Sequence, residues 1–204
     1  MNQASASEPR PPETALAPGP TLEVRWRLAE PTDLPFVYRL VTQVDPRWYR
    51  FSRNGLEPSG MLELLAGIAA GAVVLDDYGQ PIACALLTDA GSSGTGAFEY
   101  FALPTPQAQQ LARSVAPDLL AAVFSASKLR RLYVERFDND PMVLGEAAHL
   151  FEAEVVLPDF LRIDGIYEAR TTLVLTAERW WPWHEARTTT TATPDVAETD
   201  RSAA

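Results

Sequence analysis

Glu99 is the residue whose neighbours most suggest chemistry. It stands in the apolar run Ala97–Leu103, flanked by Phe98 and Tyr100. Neighbours of that kind desolvate a carboxylate and raise its pKa, so that it can take a proton, for example from an ammonium, near neutrality. A solvent-facing position on an edge strand is the competing reading. Cys84 lies within IACALL, where apolar burial makes a thiol inert rather than nucleophilic. His149 sits beside Leu150 and Phe151, and His184 follows Trp180-Trp181-Pro182-Trp183. Neither belongs to a His/Cys/Asp/Glu set with metal-ligand spacing, so no metal is expected. The run GSSGTG at 91–96 has the composition of a phosphate loop, but it joins two strands instead of leading into a helix. It is therefore expected to be a plain β–β connection.

Composition narrows the partners. A chain of 204 residues with 47% hydrophobic content suits one domain with a real core. The net charge of −10 argues against a nucleic-acid partner and leaves room for a cationic one, an amine-bearing small molecule or a basic peptide. The single Cys excludes an internal disulfide framework, and no apolar run is long enough to span a membrane. With no apolar leader after Met1, these features point to a cytoplasmic protein.

The elements that must position Glu99 follow from hydrophobic period and turn chemistry. Residues 1–20 and 184–204 lack periodicity and are rich in Pro, Ala, Ser, Thr and Glu, so they read as disordered tails around one domain at 21–183. Val24–Leu28 alternates as a strand, and Thr32 or Asp33 caps a helix carrying Leu34, Val37, Tyr38, Val41 and Val44. A second helix is expected from the shared face of Met61, Leu62, Leu65 and Ile68. Gly71–Leu75 and Pro81–Leu87 form a hairpin about Asp76-Asp77-Tyr78-Gly79, and Ala97–Leu103 is the next strand. Pro104–Ser127 reads as a helix with Leu111, Val115, Leu119 and Val123 on one face and a kink at Pro117. Arg130–Arg136 is a strand, Pro141–Leu150 a helix, and two long strands close the domain. Trp180, Trp181 and Trp183 are expected to cap the open end of the sheet, to anchor a partner or a second copy of the chain, or to do both. Arg47-Trp48-Tyr49-Arg50-Phe51, between the first two helices, either shapes a cleft or packs as a loop.

The spacing of Asn139, Met142, Glu146, Leu150 and Phe151 is similar to a C-terminal pattern of the GNAT superfamily of N-acetyltransferases. Asp164-Gly165-Ile166-Tyr167-Glu168 resembles the hairpin of the branch that acetylates protein N-termini and aminoglycosides. The order β-α-α-β-β-β-α-β-α-β-β also matches that superfamily over about 22–176. The resemblance implies an α/β fold, a mixed and mostly antiparallel twisted sheet of about seven strands flanked by about four helices.

It further implies transfer of an acyl group from acetyl-CoA or another acyl-CoA to an amine, by direct attack. Glu99 would be the general base, and Glu146 stands where many relatives place a Tyr that protonates the leaving thiolate. Asn139 would lie near the pantetheine arm, although capping of the following helix explains it equally well. The donor's pyrophosphate would meet the segment Leu103-Pro104-Thr105-Pro106-Gln107-Ala108-Gln109-Gln110, with Leu103, Thr105, Gln107 and Gln109 as binding residues. This segment departs from the family pattern: it has no Gly and no Arg or Lys, and two prolines each remove a donor. The alternative is a GNAT-like module that binds without catalysing.

Overall fold

The computed structural model describes residues 25–43, 68–138, 142–163 and 165–191. In chain order the elements are β1 (Arg25–Leu28), a 3-10 turn (Pro31–Asp33), α1 (Leu34–Gln43), β2 (Ile68–Leu75), β3 (Pro81–Thr88) and β4 (Thr95–Ala102). They continue with α2 (Pro106–Ala126), β5 (Arg131–Phe137), a second 3-10 turn (Gly145–Leu150), β6 (Glu152–Ile163), β7 (Ile166–Thr176) and α3 (Ala177–Thr191). The seven strands form one sheet in the order β1-β2-β3-β4-β5-β7-β6. Every neighbouring pair is antiparallel except β4 with β5. This is the mixed, mostly antiparallel α/β sheet that the sequence pattern implied.

Period-two alternation sends the strand residues into two cores. On one face Phe98, Leu132, Leu173 and Leu175 pack against Leu111, Val115, Leu119 and Leu120 of α2. On the other, Val73, Cys84, Leu86 and Phe101 meet Phe36, Val37, Leu40 and Val41 of α1. The β2–β3 turn closes as expected: Asp76 receives the Gly79 amide at 3.0 Å and gives its own amide to Gln80 at 2.9 Å. Gly79 there has φ +73, a left-handed conformation in which a Cβ is strained.

Several expectations need correction. Ile68 does not end a helix but opens β2, while residues 61–67 and the Arg47–Phe51 cluster lie outside the described residues. Of the expected helix Pro141–Leu150, the described residues 142–150 hold only the 3-10 turn Gly145–Leu150. Met142 at φ +30 and Gly145 at φ +57 break the helical run. The folded unit does not stop at Trp183, because α3 runs on to Thr191 and Arg187 bonds to Glu146 and Asp118. Trp180 is fully buried and stacks on Phe124 of α2 at 5.9 Å, so it packs within the chain instead of being presented to a partner. Among the described residues, no helix is long and apolar enough to cross a membrane.

Candidate functional site

Only three residue pairs join β4 to β5: Thr95 with Arg131, Gly96 with Leu132 and Ala97 with Tyr133. Both strands continue, β4 to Ala102 and β5 to Phe137, without further pairing to each other. The sheet is therefore parted along its middle, with the unpaired ends of the two strands on the side of the α2 N-terminus. Gly96 lies at the closed end, where a Cβ would come within 3.1 Å of Leu87 and Leu129 side-chain atoms, so only Gly fits without a shift.

Glu99 stands on β4 just beyond the last pair, opposite Leu86 of β3. It lies two residues before Phe101, which packs in the α1-side core, so Glu99 faces that side, half-buried. The same alternation puts Tyr133 and Glu135 of β5, and Glu168 and Arg170 of β7, on this face, because Leu132, Leu173 and Leu175 occupy the other. Glu135 forms an ion pair with Arg170 at 3.4 Å, and the Arg170 guanidinium lies 4.2 Å from the Phe160 ring centroid. Phe160 in turn neighbours Phe137 at 6.4 Å. Glu168 is only 2% exposed. Three carboxylates thus share one face of the parted sheet beside a single arginine of β7. The sequence reading gave no role to Glu135 or Arg170. Their alternation with apolar residues was visible, but the pairing that brings Phe137 opposite Arg170 was not.

The segment after β4 is tied down by its own hydrogen bonds. The Leu103 amide donates to Ile82 of β3 at 2.9 Å. Pro104 and Pro106 have no amide hydrogen. Thr105 is the N-cap of α2, and its hydroxyl accepts from the Ala108 amide at 3.3 Å while its carbonyl accepts from Gln109 at 3.0 Å. From Leu103 to Gln109, the Thr105 and Gln107 amides are left to meet a ligand. Tyr100 fixes this helix to β4 through a 2.7 Å bond from its hydroxyl to the Ala112 carbonyl, and burial pushes the phenol pKa well above its ordinary value. Of the residues expected to hold a donor, Thr105 and Gln107 are exposed and Leu103 and Gln109 half-buried, while Asn139 lies outside the described residues.

Glu146 is not brought to Glu99. It stands on the α2 side of the sheet, accepting from Arg187 of α3 at 2.6 Å, with Asp118 of α2 on the same guanidinium. His149 and His184 both join the tryptophans of α3, at 6.0 Å from Trp183 and 5.2 Å from Trp180 respectively. Burial pushes the Cys84 thiol up to about 12, which removes it as a nucleophile. Among the described residues, no group of three His, Cys, Asp or Glu side chains is arranged to hold a metal.

No family model and no curated protein matches this chain. Solved structures do. The spermidine N-acetyltransferase of Vibrio cholerae, crystallised with CoA and spermine, superposes with a TM-score of 0.62 at 20% identity, covering 78% of this chain and 98% of that one. The same enzyme with manganese ions gives 0.60 at 19% identity, covering 78% and 96%. A protein described as a candidate phosphinothricin N-acetyltransferase gives 0.59 at 16% identity, covering 76% and 98%. The fold of this chain is that of the GNAT N-acetyltransferases.

Proposed function

We propose that this protein is an N-acyltransferase, moving an acyl group from an acyl-CoA thioester to an amine. The observation that carries the reading is the parting of β4 from β5 with Glu99 on its wall, within a GNAT fold. The parted strands take the pantetheine arm. An ammonium acceptor approaches from the α1 side, where Glu99, Glu135 and Glu168 provide a negative field. Glu99 takes the ammonium proton, directly or through a water, and the freed amine attacks the thioester carbonyl carbon. The C–N bond forms, the nitrogen gives up its second proton to solvent, the C–S bond breaks, and the thiolate leaves to be protonated from solvent or by a donor group. Thr105, Gln107, Gln109 and the backbone at Leu103 line the donor's path. The spermidine N-acetyltransferase was crystallised with CoA and spermine together; here the acceptor is an amine-bearing small molecule or peptide, a cation suited to a chain of net charge −10.

Calorimetry with acetyl-CoA, propionyl-CoA and CoA tests this reading, followed by acetyl transfer to a panel of amines. Binding of all three is expected, with acetylated product from at least one cationic amine. No heat at about millimolar ligand, a threshold near 4 kcal/mol of binding free energy, would remove the enzyme reading. A second reading, a binding module that does not catalyse, draws on the scarcity of free amides between Leu103 and Gln109 and on the capture of Glu146 by Arg187. Ligand binding without transfer to any amine would favour it.

A further inference from the structure

A phosphate held at a helix N-terminus is held by backbone N–H groups that point at it, usually helped by cations. In this chain most of those groups are used up or missing, each by an identified cause. Leu103 donates to Ile82, Ala108 to the Thr105 hydroxyl and Gln109 to the Thr105 carbonyl, while Pro104 and Pro106 have nothing to donate. Only the Thr105 and Gln107 amides remain, with no cation beside them. The stretch Leu103–Ala112 carries no charged side chain, and the first cation, Arg113, directs its Nε to the Met142 carbonyl at 3.4 Å. The chain's net charge of −10 adds a long-range field that disfavours the several phosphate charges of CoA. The residues present do not fit a nucleotide diphosphate. The parted strands are a separate feature: beyond Ala97 and Tyr133 their facing edges are not paired with each other, which suits the two amides of a pantetheine arm.

We propose, resting on the acyltransfer reading above, that the donor is recognised through its acyl-pantetheine arm and not through its nucleotide. The chain therefore accepts short pantetheine thioesters as readily as acyl-CoA. The Thr105 cap and the two prolines are the specificity determinants, since they close the phosphate cradle that the fold otherwise offers.

The test is calorimetry on the full chain with three probes: CoA, pantetheine and adenosine 3′,5′-bisphosphate. CoA and pantetheine should bind within about threefold of each other, less than one charge-assisted hydrogen bond is worth, and the bisphosphate should give no signal at about millimolar concentration. CoA tighter than pantetheine by about thirtyfold or more, or measurable binding of the bisphosphate, overturns the proposal and leaves the acyltransfer reading standing. Silence from both CoA and pantetheine overturns the two together. A double variant, Pro104→Gly with Pro106→Ala, restores two amides at positions where prolines now stand. It should raise affinity for CoA by about tenfold while leaving pantetheine unchanged. Unchanged CoA affinity in a variant that melts with the wild type would show that the missing amides are not the cause. If the variant does not fold, the three-probe comparison on the wild type decides the matter alone.

Discussion

Glu99 and Asp33 show how one carboxylate can be set up for chemistry and another for structure. Glu99 stands half-buried beside the gap between β4 and β5. Glu99→Gln keeps shape and volume but cannot take a proton, so it should leave the melting temperature unchanged and lower acyl transfer by about 10²-fold, the usual contribution of a general base. An unchanged pH–rate profile in that variant would remove Glu99 from the mechanism. Asp33 is only 6% exposed and receives both Arg27 guanidinium nitrogens, at 2.7 and 2.9 Å, with the Glu30 amide at 2.8 Å. The Arg27 bonds hold its carboxyl below the ordinary aspartate range. A carboxylate whose pKa is lower folded than unfolded stabilises the fold above the unfolded value, about 3.9, and that contribution is lost as pH falls through the folded value. Wild type should thus lose stability on acidification below about pH 4 more steeply than Asp33→Asn, with the two melting curves converging at the acid end. Parallel curves would show that the Arg27 pair contributes nothing to pH-dependent stability.

Among the elements, α2 and the second 3-10 turn are joined by a fit that depends on two residues. Pro117 has no amide for the Arg113 carbonyl one turn earlier. Gly145 packs against that carbonyl so closely that a Cβ would stand 2.1 Å from its oxygen, and its φ of +57 is strained for any other residue. Gly145→Ala should therefore cost roughly 2–4 kcal/mol, read as a shift in denaturant midpoint, with both the overlap and the backbone strain contributing. This contact also marks where the sequence stops being legible. The face of α2 was readable from Leu111, Val115 and Leu119, and the β2–β3 hairpin from Asp76 to Gly79, because each is specified by residues close in the chain. The loss of the helix over Pro141–Leu150 was not, since it depends on Gly145 meeting a carbonyl in a distant element. The candidate site divides the same way. Glu99 and the poverty of the Leu103–Gln110 segment in glycine and charge were visible locally. The company of Glu135, Glu168 and Arg170 needed the β5–β7 register, which long-range pairing sets.

For the whole molecule, the C-terminal helix decides where the folded unit ends. Thr188 to Thr191 are weak helix formers, and Pro182 interrupts the backbone ladder, so local propensity argues for a tail. Packing outweighs propensity. Trp180 is fully buried against Phe124, the His184 ring stacks on Trp180 at 5.2 Å, and Arg187 reaches both Asp118 and Glu146. Trp180→Ala should cost about 3–5 kcal/mol, as for other large aromatics removed from a core, without changing the mass in solution. Two truncations separate the contributions of the helix. Ending the chain after Thr191 keeps every one of these contacts and should leave the melting temperature unchanged. Ending it after Trp183 removes His184 from the Trp180 face and releases two carboxylates from Arg187. Exposed ion pairs contribute little individually, so most of the loss comes from the uncovered aromatic surface. The shorter chain should melt lower by roughly 5 °C or more, since about 2 kcal/mol moves a domain of this size by several degrees. Equal melting temperatures for the two truncations would place the end of the folded unit at Trp183, and α3 beyond it would have no part in holding Glu146.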